Sequence, residues 1–242
     1  MEHKTTPAVD RTVMFFSVVL GGGSILLLAS MGSIQFVHLG FSDPIALLWD
    51  AALSFAFFLQ HSGMVRKPFR ARMAVVIPPP YHGAIYSIAS GVVLAIVVLL
   101  WQRSEGHLLR LEGLPLWIAR GCSLLAVGIF VWSIRALGSV DFFGLGPVKS
   151  RLRDQSDQNP LFVVRGPYRW VRHPLYLCVL ILFWATPELT LDRLLFNTLW
   201  TGWIIVGTML EERDLLADFG EAYRDYQRKV PMLLPWRGPM QR

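Results

Sequence analysis

The chain has 242 residues, 53% of them hydrophobic and 17% charged, against roughly 25% charged in soluble domains. Nine Trp and fifteen Phe add to the apolar load, under a formal net charge of +6. This balance excludes an ordinary soluble domain. The basic excess reads as loop charge on a membrane protein rather than a nucleic-acid surface, because no stripe of interleaved Lys and aromatic residues is present.

The N-terminus, Met1-Glu2-His3-Lys4, lacks a basic n-region, and no small-residue cleavage site follows the first apolar run. That run therefore reads as a retained span and not a signal peptide. Six apolar segments follow in order, at about 13–37, 44–60, 84–101, 115–137, 174–187 and 191–210. The first four approach the ~20 residues that a spanning helix needs. Gly21-Gly22-Gly23, inside the first, predicts close helix packing by small residues rather than phosphate binding. Cys122 and Cys178 both lie in apolar stretches and are expected to be packing residues, with no CxxC or zinc-like cluster.

The loop 138–160 holds Gly144-x-Gly146, which is no dinucleotide fingerprint because no strand–turn–helix pattern surrounds it. Its second half, 149–160, reads as a solvated connector. The fifth segment opens at Pro174, a favoured first-turn residue, and is interrupted at Pro187. So short a link to the sixth segment makes 174–210 an antiparallel helical hairpin. The tail 211–230 is amphipathic, with Leu215, Leu216, Phe219, Tyr223, Tyr226 and Val230 on one face. Pro231 and Pro235 end it.

With the N-terminus inside and six crossings, nineteen Lys and Arg fall inside and four (Arg103, Arg110, Arg120, Arg193) outside. This favours six spans with both termini in; a re-entrant fifth segment is the alternative. The expected fold is an all-α polytopic membrane helical bundle with a C-terminal amphipathic helix. It reads as one integral-membrane domain over 1–242, with a four-span half at 1–137 and a second half at 138–242. No carboxylate is expected to be buried within the spans, which argues against a proton-coupled transporter.

Two polar corners could carry chemistry. Arg165-Gly-Pro-Tyr-Arg-Trp-Val-Arg172-His173-Pro174-Leu-Tyr176 leads into the hairpin, and Glu211-Glu212-Arg-Asp leaves it. Pro174 pushes His173 out of helical geometry, and the free amides of a helix start suit an anion. Interfacial anchoring is the bland reading of the same residues. The paired Glu could bind an ammonium group or simply favour a helix start. The hairpin returns both corners to one side, so they offer an amino-acid zwitterion one site of each sign. His61 and Asp141 are further candidates, with a helix-end contact and a loop turn as their bland readings. No metal cluster is expected.

The string Arg165-x-x-Tyr168-x-x-x-Arg172-His173-Pro174-x-Tyr176, followed by Glu211-Glu212-x-x-Leu215 and Tyr223-x-x-Tyr226-x-x-x-Val230-Pro231, resembles the integral-membrane isoprenylcysteine carboxyl methyltransferase and phospholipid methyltransferase superfamily. Upstream, Gln60-His61-Ser62-Gly63-Met64, Asp141-Phe-Phe-Gly-Leu145 and Phe183-Trp-Ala-Thr-Pro187 are similar to its bacterial methanethiol S-methyltransferase branch. Ser139-Val140 stands where that branch has Asn-His. The resemblance implies an all-helical S-adenosylmethionine (SAM)-dependent enzyme; the lack of a disulfide pattern or targeting peptide suits a bacterial inner membrane, and the Lys and Arg distribution puts the site on the cytoplasmic side. Its second half, 138–242, would hold SAM through Tyr168, Arg172, His173, Pro174, Leu175, Tyr176, Glu211 and Glu212. The SAM carboxylate would meet the corner before Pro174, and its amino group the Glu pair. A small hydrophobic thiol such as methanethiol, arriving from the lipid bilayer, would be methylated to dimethyl sulfide. Arg172, His173, His61 and Asp141 are the catalytic candidates, with His61, His82 and His173 as possible bases. Carboxyl or phospholipid methylation and a non-catalytic accessory role are the alternatives.

Overall fold

The computed structural model describes residues 7–31, 34–138, 141–153 and 162–241. Ser139-Val140 and most of the expected connector (154–160) lie outside them. The chain forms two compact units, one of Met1–Ser104 with Asp141–Asn159 and one of Glu105–Val140 with Pro160–Arg242.

In the first unit, α1 (Pro7–Ser30), α2 (Asp43–Val65) and α3 (Lys67–Met73) lead to a 3-10 turn (Pro79–Tyr81) and α4 (His82–Leu100). The chain then enters the second unit as α5 (Gly113–Leu137) and returns as α6 (Gly146–Leu152). Pro44, Pro68 and Pro147 open α2, α3 and α6, where a missing amide costs nothing. α1 crosses α4 at two glycines. A Cβ on Gly91 would lie 2.5 Å from the Leu20 carbonyl oxygen, and one on Gly21 would lie 2.5 Å from Ser87 Oγ. Gly21 thus makes the close packing expected of its triplet, whereas Gly23 has open space beside it.

The expectation of carboxylate-free spans fails. Asp50 is fully buried in α2, within the expected second span, and Asp10, ahead of the expected first one, is 3% exposed in α1. Both accept hydrogen bonds that burial requires. Asp50 Oδ1 takes the Gln102 amide at 3.0 Å, and Asp10 takes the Tyr81 hydroxyl. They tie loops to helices. Outward-facing Leu26, Leu48 and Leu59 are each at least 73% exposed. Such rows of bare leucine suit lipid rather than water.

In the second unit, the 3-10 turn Gly166–Arg169 precedes α7 (Pro174–Trp184). α8 (Leu191–Phe219) and α9 (Glu221–Lys229) follow. α5, whose end marks the expected boundary at 137/138, packs here against α7. Two short strands, β1 (His107–Arg110) and β2 (Glu188–Thr190), pair antiparallel. Their runs are too short to carry an alternating pattern, and the sequence reading missed them. They join the start of α5, the end of α7 and the start of α8, so α7 runs antiparallel to both neighbours. The start of α7 therefore faces away from that ladder, as does the far half of α8.

Four helical stretches among the described residues are long and apolar enough to cross a membrane: α1, α2, Pro79–Leu100 and α5. The protein is an all-α integral membrane protein. The expected fifth span is an 11-residue helix, about 16 Å long at 1.5 Å per residue, against a hydrocarbon core of about 30 Å. α8 has the length, 29 residues, but is more polar. The tail first continues the sixth segment, one of the two courses open to it: α8 runs to Phe219 and breaks at Gly220, where φ is +57°. Only glycine adopts such a backbone without strain. Beyond the break the expected apolar face holds. Tyr223, Tyr226 and Val230 are buried against Phe162, Leu215, Leu216 and Phe219. Cys178 is buried as expected, but Cys122 lies exposed on α5.

Candidate active site

The two polar corners of the hairpin meet. Backbone bonds set the first one. The amides of Arg172 and His173 donate to the carbonyls of Pro231 and Met232 at 2.9 and 3.1 Å. The Tyr226 hydroxyl donates to the Tyr168 carbonyl at 2.6 Å, and Arg169 Nε to the Met240 carbonyl at 2.7 Å. The segment after α9 thus clamps the stretch before Pro174.

Within this clamp, Arg172 forms a two-pronged ion pair with Glu212, through Nε to Oε1 at 2.5 Å and Nη2 to Oε2 at 2.9 Å. Its Nη1 donates to the carbonyls of Gln227 and Val230. Glu212 also accepts from His173 Nε2 and Gln227 Nε2, each at 3.1 Å. An ionised carboxylate offers about four lone-pair sites, and four donors fill them here. Glu212 and Arg172 are only 11% and 10% exposed. Burial pushes the Glu212 pKa up. The hydrogen bonds from His173 and Arg172 and their charges outweigh that and hold it at about 2. His173 therefore faces an acceptor-only group, and its Nε2 carries the proton.

The two corners lie near each other, as the hairpin required. Arg172 and Glu212 neutralise one another; Glu212 has its oxygens filled, and Arg172 uses four of its five N–H groups within the cluster. Glu211 differs. Its side chain is 43% exposed, and one oxygen takes the Tyr176 hydroxyl at 2.7 Å. Tyr176 stacks on His173 with ring centres 5.5 Å apart and planes 11° from parallel. Tyr168 adjoins it, its hydroxyl pKa pushed up to about 12 by burial and then by Glu211. Pro174 is buried at the start of α7. The amides of Leu175 and Tyr176 precede the first intrahelical bond, from Leu177 N to the His173 carbonyl. An accessible carboxylate, two tyrosines and a helix start thus face one region.

His61 and Asp141 belong to the first unit. His61 Nε2 lies 2.6 Å from the Tyr86 hydroxyl, and its ring packs on Phe57. Asp141 takes the amides of Leu145 and Gly146 at 2.7 Å on its two oxygens, which is the loop turn expected as its bland reading. This turn presses Gly144 onto the start of α4, where a Cβ would lie 2.0 Å from the Gly83 carbonyl carbon. Between turn and helix opens a cavity of 530 Å³, lined among others by Arg70, His82, Tyr86, Asp141 and Phe142. Sequence reasoning missed Gln227 and Tyr86. Gln227 stands on the polar side of an amphipathic helix, and Tyr86 in a plain apolar run. No group of three or more His, Cys, Asp or Glu with metal-site geometry occurs among the described residues.

The profile of the family described as NnrU protein matches residues 51–230. Methanethiol S-methyltransferase of Pseudomonas deceptionensis is 38% identical over 197 residues, covering 81% of this chain and 75% of that protein. The enzyme of the same name from Mycobacterium tuberculosis is 34% identical over 200 residues, covering 79% of each chain. Nurim of Rattus norvegicus is more distant, at 25% identity over 70% of this chain and 68% of its own length. No solved structure matches the chain. A match over most of the length in both comparisons has one meaning: the chain belongs to the NnrU protein family and groups with the bacterial methanethiol S-methyltransferases.

Proposed function

We propose that this protein is a membrane methyltransferase that moves a methyl group from SAM to the sulfur of methanethiol, giving dimethyl sulfide. The observation that carries this reading is the 34–38% identity to enzymes of that name over at least three quarters of their length. SAM brings its methyl on a sulfonium and so needs positioning and exclusion of water more than activation.

The residues of the second unit fit such a donor. Glu211 is exposed enough to hold an ammonium group. The faces of Tyr168 and Tyr176 suit an adenine ring or a sulfonium cation. The first amides of α7, at Leu175 and Tyr176, suit a carboxylate. Arg172, His173 and Glu212 serve by fixing Pro174 and Glu211 in place rather than by contacting the donor through their charges. A thiol attacks as thiolate, so a proton acceptor is also needed. Asp141 acts by holding the loop beside α4. In a cell the site would face the cytoplasm, as the Lys and Arg distribution argues.

The test is purified protein in lipid nanodiscs with labelled SAM, a thiol panel and a prenylcysteine acid. Label transferred to methanethiol supports the reading. Label passing only to the prenylcysteine carboxylate would replace it with carboxyl methylation, and no binding of SAM by calorimetry would leave a non-catalytic accessory.

A further inference from the structure

We propose that the 530 Å³ cavity of the first unit seats the headgroup of an anionic phospholipid, with Arg70 holding its phosphate and the basic segments on either side drawing it in. This goes beyond the methyltransferase reading and stands without it.

The first observation is unbalanced charge. Arg66, Lys67, Arg70 and Arg72 lie on or beside α3, and Lys149, Arg151 and Arg153 on or beside α6. Against these seven cations the stretches 66–82 and 141–153 hold one carboxylate, Asp141. Lys67, Arg70, Arg72, Lys149 and Arg153 are exposed, and none of them enters an ion pair among the described residues. Three exposed cations of the second unit show the contrary arrangement. Arg224 pairs with Glu221, Arg228 with Asp225 and Arg110 with Glu188. A positive surface that the protein leaves unneutralised suits an anion from outside.

The second observation is place. The span α2 ends at Val65, and the spanning stretch Pro79–Leu100 begins beside His82. Arg70 and His82 both line the cavity. It therefore lies at the ends of spans, at the depth of headgroups rather than of acyl chains. The Lys and Arg distribution puts these ends on the cytoplasmic side, where the leaflet surface is negative.

The third observation is apolar. Val75 and Val76 are at least 84% exposed and belong to no span. Phe69 of α3 and Phe142 of the cavity wall are exposed too. Bare apolar side chains a few residues from four cations form the pattern of a segment lying in a membrane surface. They favour a lipid over a soluble phosphate, which offers nothing to valine.

The cavity is also built in advance. Asp141 spends both oxygens on the amides of Leu145 and Gly146, and Gly144 lies against Gly83. His82 Nε2 donates to the Ile77 carbonyl at 2.8 Å, which ties the turn after α3 to the start of α4. Walls fixed beforehand lower the ordering cost of binding.

The test is native mass spectrometry of the full chain released from detergent micelles, titrated with phosphatidylglycerol or with zwitterionic phosphatidylcholine. The wild type should hold one phosphatidylglycerol more tightly than any phosphatidylcholine. Arg70→Gln should weaken that lipid about fivefold, the worth of one cation near a lipid surface. Its melting temperature should not change, because no acidic partner is stranded. Arg224→Gln removes a cation already paired and should leave binding within twofold. Equal losses in the two variants would mean attraction by net charge alone and overturn the site, as would no loss in Arg70→Gln. A second readout needs no variant. Amides of 66–78 should exchange more slowly in phosphatidylglycerol nanodiscs than in phosphatidylcholine ones, and equal exchange overturns the proposal. Calorimetry with glycerol phosphate should find much weaker binding than for the lipid; equal affinity would make this a site for a soluble phosphate and overturn the lipid.

Discussion

The corner at Arg172 and the cavity at His82 are both rich in polar side chains, and they use them in opposite ways. At the corner, guanidinium, imidazole and a glutamine amide bond one carboxylate until both its oxygens are filled. Around the cavity the polar groups are tied to backbone instead, His82 to the Ile77 carbonyl and Asp141 to the amides of Leu145 and Gly146. The first arrangement joins the stretch before α7 to α8 through paired charges. The second holds a loop beside a helix start. A second contrast separates two neighbours in sequence, because Glu212 is a buried strut and Glu211, 43% exposed, is a contact point.

The largest effect should come from breaking the strut. Arg172→Ala or Glu212→Ala leaves a buried partner unpaired and should cost about 3–5 kcal/mol of stability, read by denaturant unfolding in detergent. The double variant should cost less than the two singles together, a coupling that fails to appear only if the pair is not load-sharing.

Acid probes the same pair. The Glu212 carboxyl sits at about 2 in the folded protein against an ordinary 4.5. A depressed carboxylate contributes its stability above the unfolded value and loses it as pH falls from 4.5 toward 2. The loss should amount to roughly 3 kcal/mol, and it should be absent in Glu212→Gln. An equal acid loss in that variant would assign the dependence to other carboxyls.

Gly220→Ala should cost about 1–3 kcal/mol, because alanine must adopt a positive φ there. If instead the variant is as stable as the parent, α8 and α9 are not separated by this kink. Glu211→Gln should have the smallest effect on stability, within about 0.5 kcal/mol, while raising the SAM dissociation constant about tenfold. Calorimetry that finds binding unchanged would remove Glu211 from the donor site.

Much of the second unit could be read from the chain. Segment lengths required the hairpin ends to meet, and the spacing of Leu215, Leu216, Phe219, Tyr223, Tyr226 and Val230 identified the face that packs. What escaped was long-range partner choice. Nothing in Arg172 and Glu212 as isolated charges says that they will neutralise each other, because the carbonyls of Gln227 and Val230 that complete the site come from a distant turn. Gly220 carried no visible break signal inside an unbroken amphipathic pattern. Asp50 escaped because its partner, the Gln102 amide, is 52 residues away. Tyr86 escaped because burial in an apolar run hides a hydroxyl that meets a histidine.

The most direct measurement is product stoichiometry. Purified protein in nanodiscs, supplied with methanethiol and SAM, should release one dimethyl sulfide in the headspace for each S-adenosylhomocysteine formed. Consumption of SAM without dimethyl sulfide, or no consumption at all, would contradict the account.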